Sequence, residues 1–312
     1  ETANGIDPAN ACATMARIVA NAELGVDAHY TFRHLVHQSK HVAKYHSVFM
    51  GAVRDTVVFS QDSDGDGVVD AKEGALLIVL TETGTAADLL SKYRPPCPMV
   101  VVTPSPAVAR QTNTGFAQYP FVVAVEQIRA NAVGVIDQAL AWATEQGMVA
   151  PGKKAVVVTG NTQPFADSDP RFYTIVNGAE EAAGVSDYSD PEGSKNGILT
   201  MRSTNIKLDL IRNDIPTSAR ATKIFCTLGP ACWEEDQLCD LLDAGLGVAR
   251  FNFSHGDHAG HQQVLDRFRS ACTKKGMEMK EKLGLTHQPK WACLLDTKGP
   301  EIRTAMLRDG KD

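Results

Sequence analysis

Five residues between positions 250 and 297 have types and spacing suited to binding phosphate and a cation. Arg250, Asn252 and Ser254 alternate with Phe251 and Phe253. Successive side chains of a strand point to opposite faces, so one face would carry a guanidinium and two oxygen-bearing groups, the other two rings. Arg250 suits a phosphate, because its planar fork binds such oxygens in pairs and stays charged. Asp296 and Thr297 end another apolar run, Trp291–Asp296. With Asn252 and Ser254 they form a set of neutral oxygens plus one carboxylate, suited to a large, weakly held monovalent cation.

Three other groups compete for attention. Residues 62–73 read DSDGDGVVDAKE and fit the EF-hand loop. Asp62, Asp64 and Asp66 would give carboxylate oxygens, Val68 a backbone carbonyl, Asp70 a water-bridged contact and Glu73 two oxygens to calcium, with Gly67 at the turn. Gly74 and the strand-like run after it break the pattern, and no second loop pairs with it. A calcium loop and an acidic solvated turn both remain open. Thr81, Glu82, Thr83, Gly84 and Thr85 join a strand to a helix start, where backbone N–H groups can hold a phosphate. Glu82, a negative charge within the loop, would repel one. The histidines His34, His37 and His41 lie on one predicted helix, but no carboxylate or cysteine completes a metal set, so a surface stripe is expected; His255, His258 and His261 have near-helical spacing too and could suggest a metal.

These residues need elements to position them. Apolar residues at helical spacing follow Asp7 and Pro8 over residues 7–25, and two further helices are expected over 28–60. Leu76–Thr81, Met99–Thr103, Phe121–Val123 and Ala155–Thr159 are short β-branched runs separated by helical stretches, the signature of a parallel α/β sheet. Residues 172–176 fit a closing strand. Residues 179–202 are acidic and rich in Gly, Ser and Pro, and read as a linker. Lys223–Thr227, Gly247–Phe253 and Trp291–Asp296 then read as strands, with helices over Glu234–Ala244 and His258–Lys274.

A net charge of −6, from 31 basic and 37 acidic residues, shows no basic field for nucleic acid or a membrane surface. Seven cysteines without a CxxC pair imply a reduced, cytoplasmic setting. No apolar run approaches the roughly 20 residues of a membrane-spanning helix.

Three blocks, CTLGPA (226–231), RFNFSHG (250–256) and DTKGPEIRT (296–304), resemble pyruvate kinase in the order they take near that enzyme's N-terminus. ETANG (1–5) and LIVLTETG (77–84) resemble its C-terminal third. The resemblance implies an α/β chain: the last helix of a catalytic barrel (1–25), the pyruvate kinase C-terminal domain with a parallel sheet and the EF-hand-like insertion (26–178), the linker, and a partial TIM (β/α)8 barrel (203–312). The expected arrangement is a tandem fragment, the tail of one copy followed by the head of the next.

By that resemblance the parent reaction is phosphoryl transfer from phosphoenolpyruvate to ADP, giving pyruvate and ATP in glycolysis, with Mg2+ and K+. Arg250 would hold the phosphate of phosphoenolpyruvate, Arg303 the nucleotide phosphates, and Asn252, Ser254, Asp296 and Thr297 the potassium. Residues 81–85 would correspond to the loop that binds an activating sugar phosphate in many members, with Asp167 and Asp169 on the other expected wall, here degenerate. The parent is expected to be a homo-oligomer. The histidines around position 258 match a family pattern that holds no metal. Cys232 stands where the family has a serine. The family's catalytic lysine and metal-binding carboxylates lie on later strands that no segment here matches, so this chain is expected to be catalytically incomplete. The rival reading is a non-catalytic calcium- or partner-binding module derived from pyruvate kinase.

Overall fold

The computed structural model of the chain describes residues 2–39, 46–60, 73–177, 220–283 and 291–300. The linker call, the first five calcium-loop ligands, His41 and Arg303 lie outside them.

Helix α1 spans Pro8–Leu24. The Asp7 side chain accepts the Asn10 amide at 2.9 Å, and Pro8 sits where a missing N–H costs nothing. Helices α2 (Ala28–Gln38) and α3 (His46–Phe59) follow. Strand β1, Leu76–Leu80, is the centre of a five-stranded sheet with β2 (Met99–Thr103), β3 (Gln118–Val122), β4 (Lys154–Gly160) and β5 (Pro170–Val176), in the order β3-β2-β1-β4-β5. The first four strands are parallel, and the closing strand β5 pairs antiparallel with β4.

All five residues of β1 are buried, as a parallel strand covered on both faces requires. Its alternation divides the core. Leu77 and Val79 pack beneath α3 and α4 (Thr85–Ser91), with Phe49, Val53 and Leu90; Leu76, Ile78 and Leu80 pack with Ile136 and Leu140 of α7 (Ala132–Glu145). Short helices α5 (Pro106–Gln111) and α6 (Val125–Ala130) flank β3. Pro120 is tolerated because β3 is an edge strand, where a missing ladder donor is affordable.

The second sheet is parallel, in the order β6 (Phe225–Thr227), β7 (Val248–Asn252), β8 (Ala292–Asp296). Helices α8 (Glu235–Asp243) and α9 (His258–Leu283) cover one face, burying Leu238, Leu241, Phe251 and Phe268. The core of this sheet also takes Cys12 and Ala16 from α1. Helix α1 therefore packs on the strands that follow it by some two hundred residues. Ala231 N–H donates to Ala3 O at 3.0 Å, and a Cβ on Gly229 would come within 2.6 Å of that same oxygen. Only glycine permits this approach.

Residues 220–223 are clamped between α1 and the first sheet. The Glu23 carboxylate accepts the Ala221 and Thr222 amides at 2.8 and 2.7 Å. Tyr119 O–H donates to Arg220 O at 2.8 Å, and Ala117 N–H to Ala221 O at 2.9 Å. Lys223 Nζ lies 4.1 Å from the centre of the Tyr119 ring, a cation–π contact.

Candidate functional site

The phosphate and cation residues meet at the C-terminal ends of β6, β7 and β8, the end at which barrel enzymes of this strand–helix type place their chemistry. Register brings them there: Thr227 pairs with Arg250, Arg250 with Leu294, and Asn252 with Asp296. Arg250 Nη1 donates to Thr227 Oγ1 at 2.7 Å and its Nε to Asp296 Oδ2 at 3.1 Å; Nη2 also reaches Asp296 Oδ2. Arg250 is thus fixed in orientation by both neighbouring strands. Its side chain and that of Asp296 keep 32% and 42% of their exposure, so the pair stays open to a ligand.

The structure brings together Arg250, Asn252, Ser254 and Asp296. The Ser254 amide donates to Asn252 Oδ1 at 3.1 Å, and the Phe253 amide to the Asp296 carbonyl at 3.0 Å, tying the turn after β7 to the end of β8. Thr297 follows Asp296 directly and is exposed. Arg250 bonds Asp296 through Oδ2 and does not use Oδ1. Among the described residues no cluster of three or more His, Cys, Asp or Glu suits a divalent metal. Thr227, the second anchor of Arg250, escapes sequence reasoning, because the contact depends on strand register. So does Thr2, whose hydroxyl donates to Thr227 O at 2.9 Å.

The other candidates have clear placements. His261 stacks on Phe253 with ring centres 4.2 Å apart and its Nε2 bonds the His255 carbonyl at 2.8 Å, while His258 meets the same Phe253 edge-on. These histidines pack against the site's apolar side. His34 stacks on Tyr30 of α2. Glu73, the last ligand position of the acidic loop, is buried just before β1. Cys232 approaches the Thr227 carbonyl at 3.9 Å, the turn contact open to a serine hydroxyl.

The loop from Thr81 to Thr85 is closed by an internal anion. The Asp167 carboxylate accepts Thr81 Oγ1 at 2.6 Å, the Glu82 amide at 2.7 Å, and the Thr83 and Ala86 amides at 3.2 Å. Gly84 adopts a left-handed φ of 88°, which turns the chain so that its own amide meets Thr81 Oγ1.

Residues 70–167 match the family profile "Pyruvate kinase, alpha/beta domain", and residues 219–312 match "Pyruvate kinase, barrel domain". Over these two stretches the chain is homologous to pyruvate kinase. A pyruvate kinase of Eimeria tenella is 45% identical over 116 residues, 36% of this chain and 20% of that protein. The cytosolic isozyme of Solanum tuberosum is 46% identical over 109 residues, 34% of this chain and 19% of that protein. The aligned stretches thus span about a fifth of the curated relatives they match. The crystal structure of a Cryptosporidium parvum pyruvate kinase aligns with 28% identity over 49% of this chain and 27% of that one, at a TM-score of 0.39, too low to add to the case. No helix among the described residues is long and apolar enough to cross a membrane.

Proposed function

We propose that residues 219–312 carry the phosphate- and potassium-binding part of a pyruvate kinase site, and that this chain alone does not complete the phosphoryl transfer. The observation that carries this reading is Arg250, held between Thr227 Oγ1 and Asp296 Oδ2 at the C-terminal ends of three parallel strands. A guanidinium fixed from two sides presents its fork without first losing rotamer freedom, and binds a phosphate oxygen pair with little further ordering cost. Asp296, Asn252, Ser254 and Thr297 would hold potassium beside that phosphate, and Arg303 would reach the nucleotide.

Magnesium, the divalent ion of this family, neutralises charge on the transferring group when bound. The described residues do not offer its carboxylates, so no step is assigned to it. Binding a phosphate equally in ground and transition states gives affinity without turnover.

The order of the matched segments, alpha/beta domain at 70–167 before barrel at 219–312, supports a tail-then-head arrangement of two copies. Helix α1 and the residues before it support it too: Cys12 of the helix and Thr2 and Ala3 ahead of it contact β6 and the turn after it, as the last helix of a closed barrel would meet the first strand. The sugar-phosphate loop of the family is here filled by Asp167, which supports the loss of that effector.

Calorimetry of the 312-residue chain with phosphoenolpyruvate, in potassium and in a large organic cation, tests the reading. Saturable binding in potassium that falls at least tenfold in Arg250→Ala supports it. Equal binding in the variant contradicts it.

A further inference from the structure

Cys12 of α1 and Cys226 of β6 are 214 residues apart in sequence, yet their sulfurs lie 3.6 Å apart. Both are buried, at 1% and 2% exposure, and both line a cavity of about 390 Å³ with Thr2, Met15 and Phe225. We propose that Cys12 and Cys226 are an oxidant-responsive dithiol pair, which hydrogen peroxide converts into an intramolecular disulfide pinning α1 to β6.

The roles of the two sulfurs differ. Cys226 Sγ–H donates to Cys12 Sγ, and Cys12 Sγ–H in turn donates to the Ala244 carbonyl at 3.7 Å. The bond from Cys226 draws the Cys12 thiol below its ordinary range, with the charge of Arg220 assisting and burial opposing. The same bond, with burial, holds the Cys226 proton in place. Cys12 is therefore assigned as the sulfur that attacks and Cys226 as the one that resolves.

Cys12 sulfur attacks one peroxide oxygen, the O–O bond breaks, and the departing hydroxide takes the thiol proton as water. Cys226 sulfur then attacks the Cys12 sulfenic acid, the S–O bond breaks, and the hydroxyl leaves with the Cys226 proton as a second water. The two sulfurs lose two electrons together and the peroxide gains two. Peroxide is close to water in size, and the open groove that both cysteines line is where it would approach them.

The cross-link would act near the phosphate seat. Thr227 follows Cys226 in β6 and its hydroxyl accepts from Arg250. Locking β6 to α1 fixes the strand against which Arg250 is aligned.

The reduced 312-residue chain is treated with hydrogen peroxide, alkylated after denaturation and mapped by mass spectrometry. The expected result is one Cys12–Cys226 peptide pair, reversed by dithiothreitol, with the chain still monomeric on a non-reducing gel. Dimedone should trap a sulfenic acid on Cys12 in Cys226→Ser, and none on Cys226 in Cys12→Ser. The wild-type map decides the matter even where a variant folds poorly. Free Cys12 and Cys226 at peroxide doses that oxidise the exposed Cys293, or a bridge from Cys226 to Cys232, would overturn the proposal.

Discussion

Asp167 and Thr81, 86 residues apart, share a hydrogen bond of 2.6 Å, and through it the carboxylate enters the strand-to-helix loop and meets three backbone amides. The amides that would face a phosphate face a carboxylate from the same chain instead. A negative charge at these N–H groups is favourable, and no external anion is needed to satisfy them.

Asp167→Ala should therefore lower stability by about 2 kcal/mol, since hydrogen bonds to a charged group are lost and the amides are left to water. Urea unfolding measures this. The wild-type chain should show no saturable binding of a sugar phosphate in calorimetry. Binding at micromolar concentration with Asp167 intact would refute the internal-anion reading.

Lys223 gives a pH dependence. Burial, with the Arg220 charge adding to it and Glu23 opposing, brings its ammonium down to about 7 from its ordinary value of 10.5. Between those values the unfolded chain holds a proton that the folded chain has released, so this group makes stability rise with pH across that window. Below about 7 the folded chain carries this charge in a half-buried place, offset in part by the Tyr119 ring. Lys223→Met should raise the melting temperature at pH 6 by several degrees and change it little at pH 10, as differential scanning calorimetry would record. An equal change at both pH values would contradict this.

The acidic loop should bind calcium with micromolar to millimolar affinity, because residues 62–73 place six oxygen donors at the required positions with Gly67 at the turn. Calorimetry against an Asp62→Ala, Glu73→Gln double variant checks it. No heat in the parent chain, or equal heat in both, sinks the idea.

The strands were legible where β-branched residues run unbroken. Met99–Thr103 stands as expected, and β1 and β4 differ from expectation by a residue or two at their ends. Strand β3 begins at Gln118 rather than Phe121, because Gln118 and Pro120 hide an edge strand whose pairing, not composition, defines it. Helix α9 runs nine residues past Lys274, through Gly276, since its contacts with α8 and the Met, Glu and Lys residues there outweigh one glycine.

At the site, alternation alone put Arg250 and Asn252 on one face. Thr227 was not legible, since register across β6 and β7 sets its contact with Arg250. The Cys12–Cys226 pair joins distant segments by tertiary packing, which no local pattern encodes; Asp167 was expected beside the 81–85 loop by family resemblance alone, and its bonds into the loop come from packing.

The central claim is that this chain seats a phosphate at Arg250 but lacks the groups that stabilise charge shifting in the transition state. A coupled assay of the 312-residue chain with phosphoenolpyruvate, ADP, magnesium and potassium tests it most directly. The expected result is no turnover above the uncatalysed rate. Pyruvate formation that disappears in Arg250→Ala would show that the chain supplies its own catalytic groups, and would contradict the account.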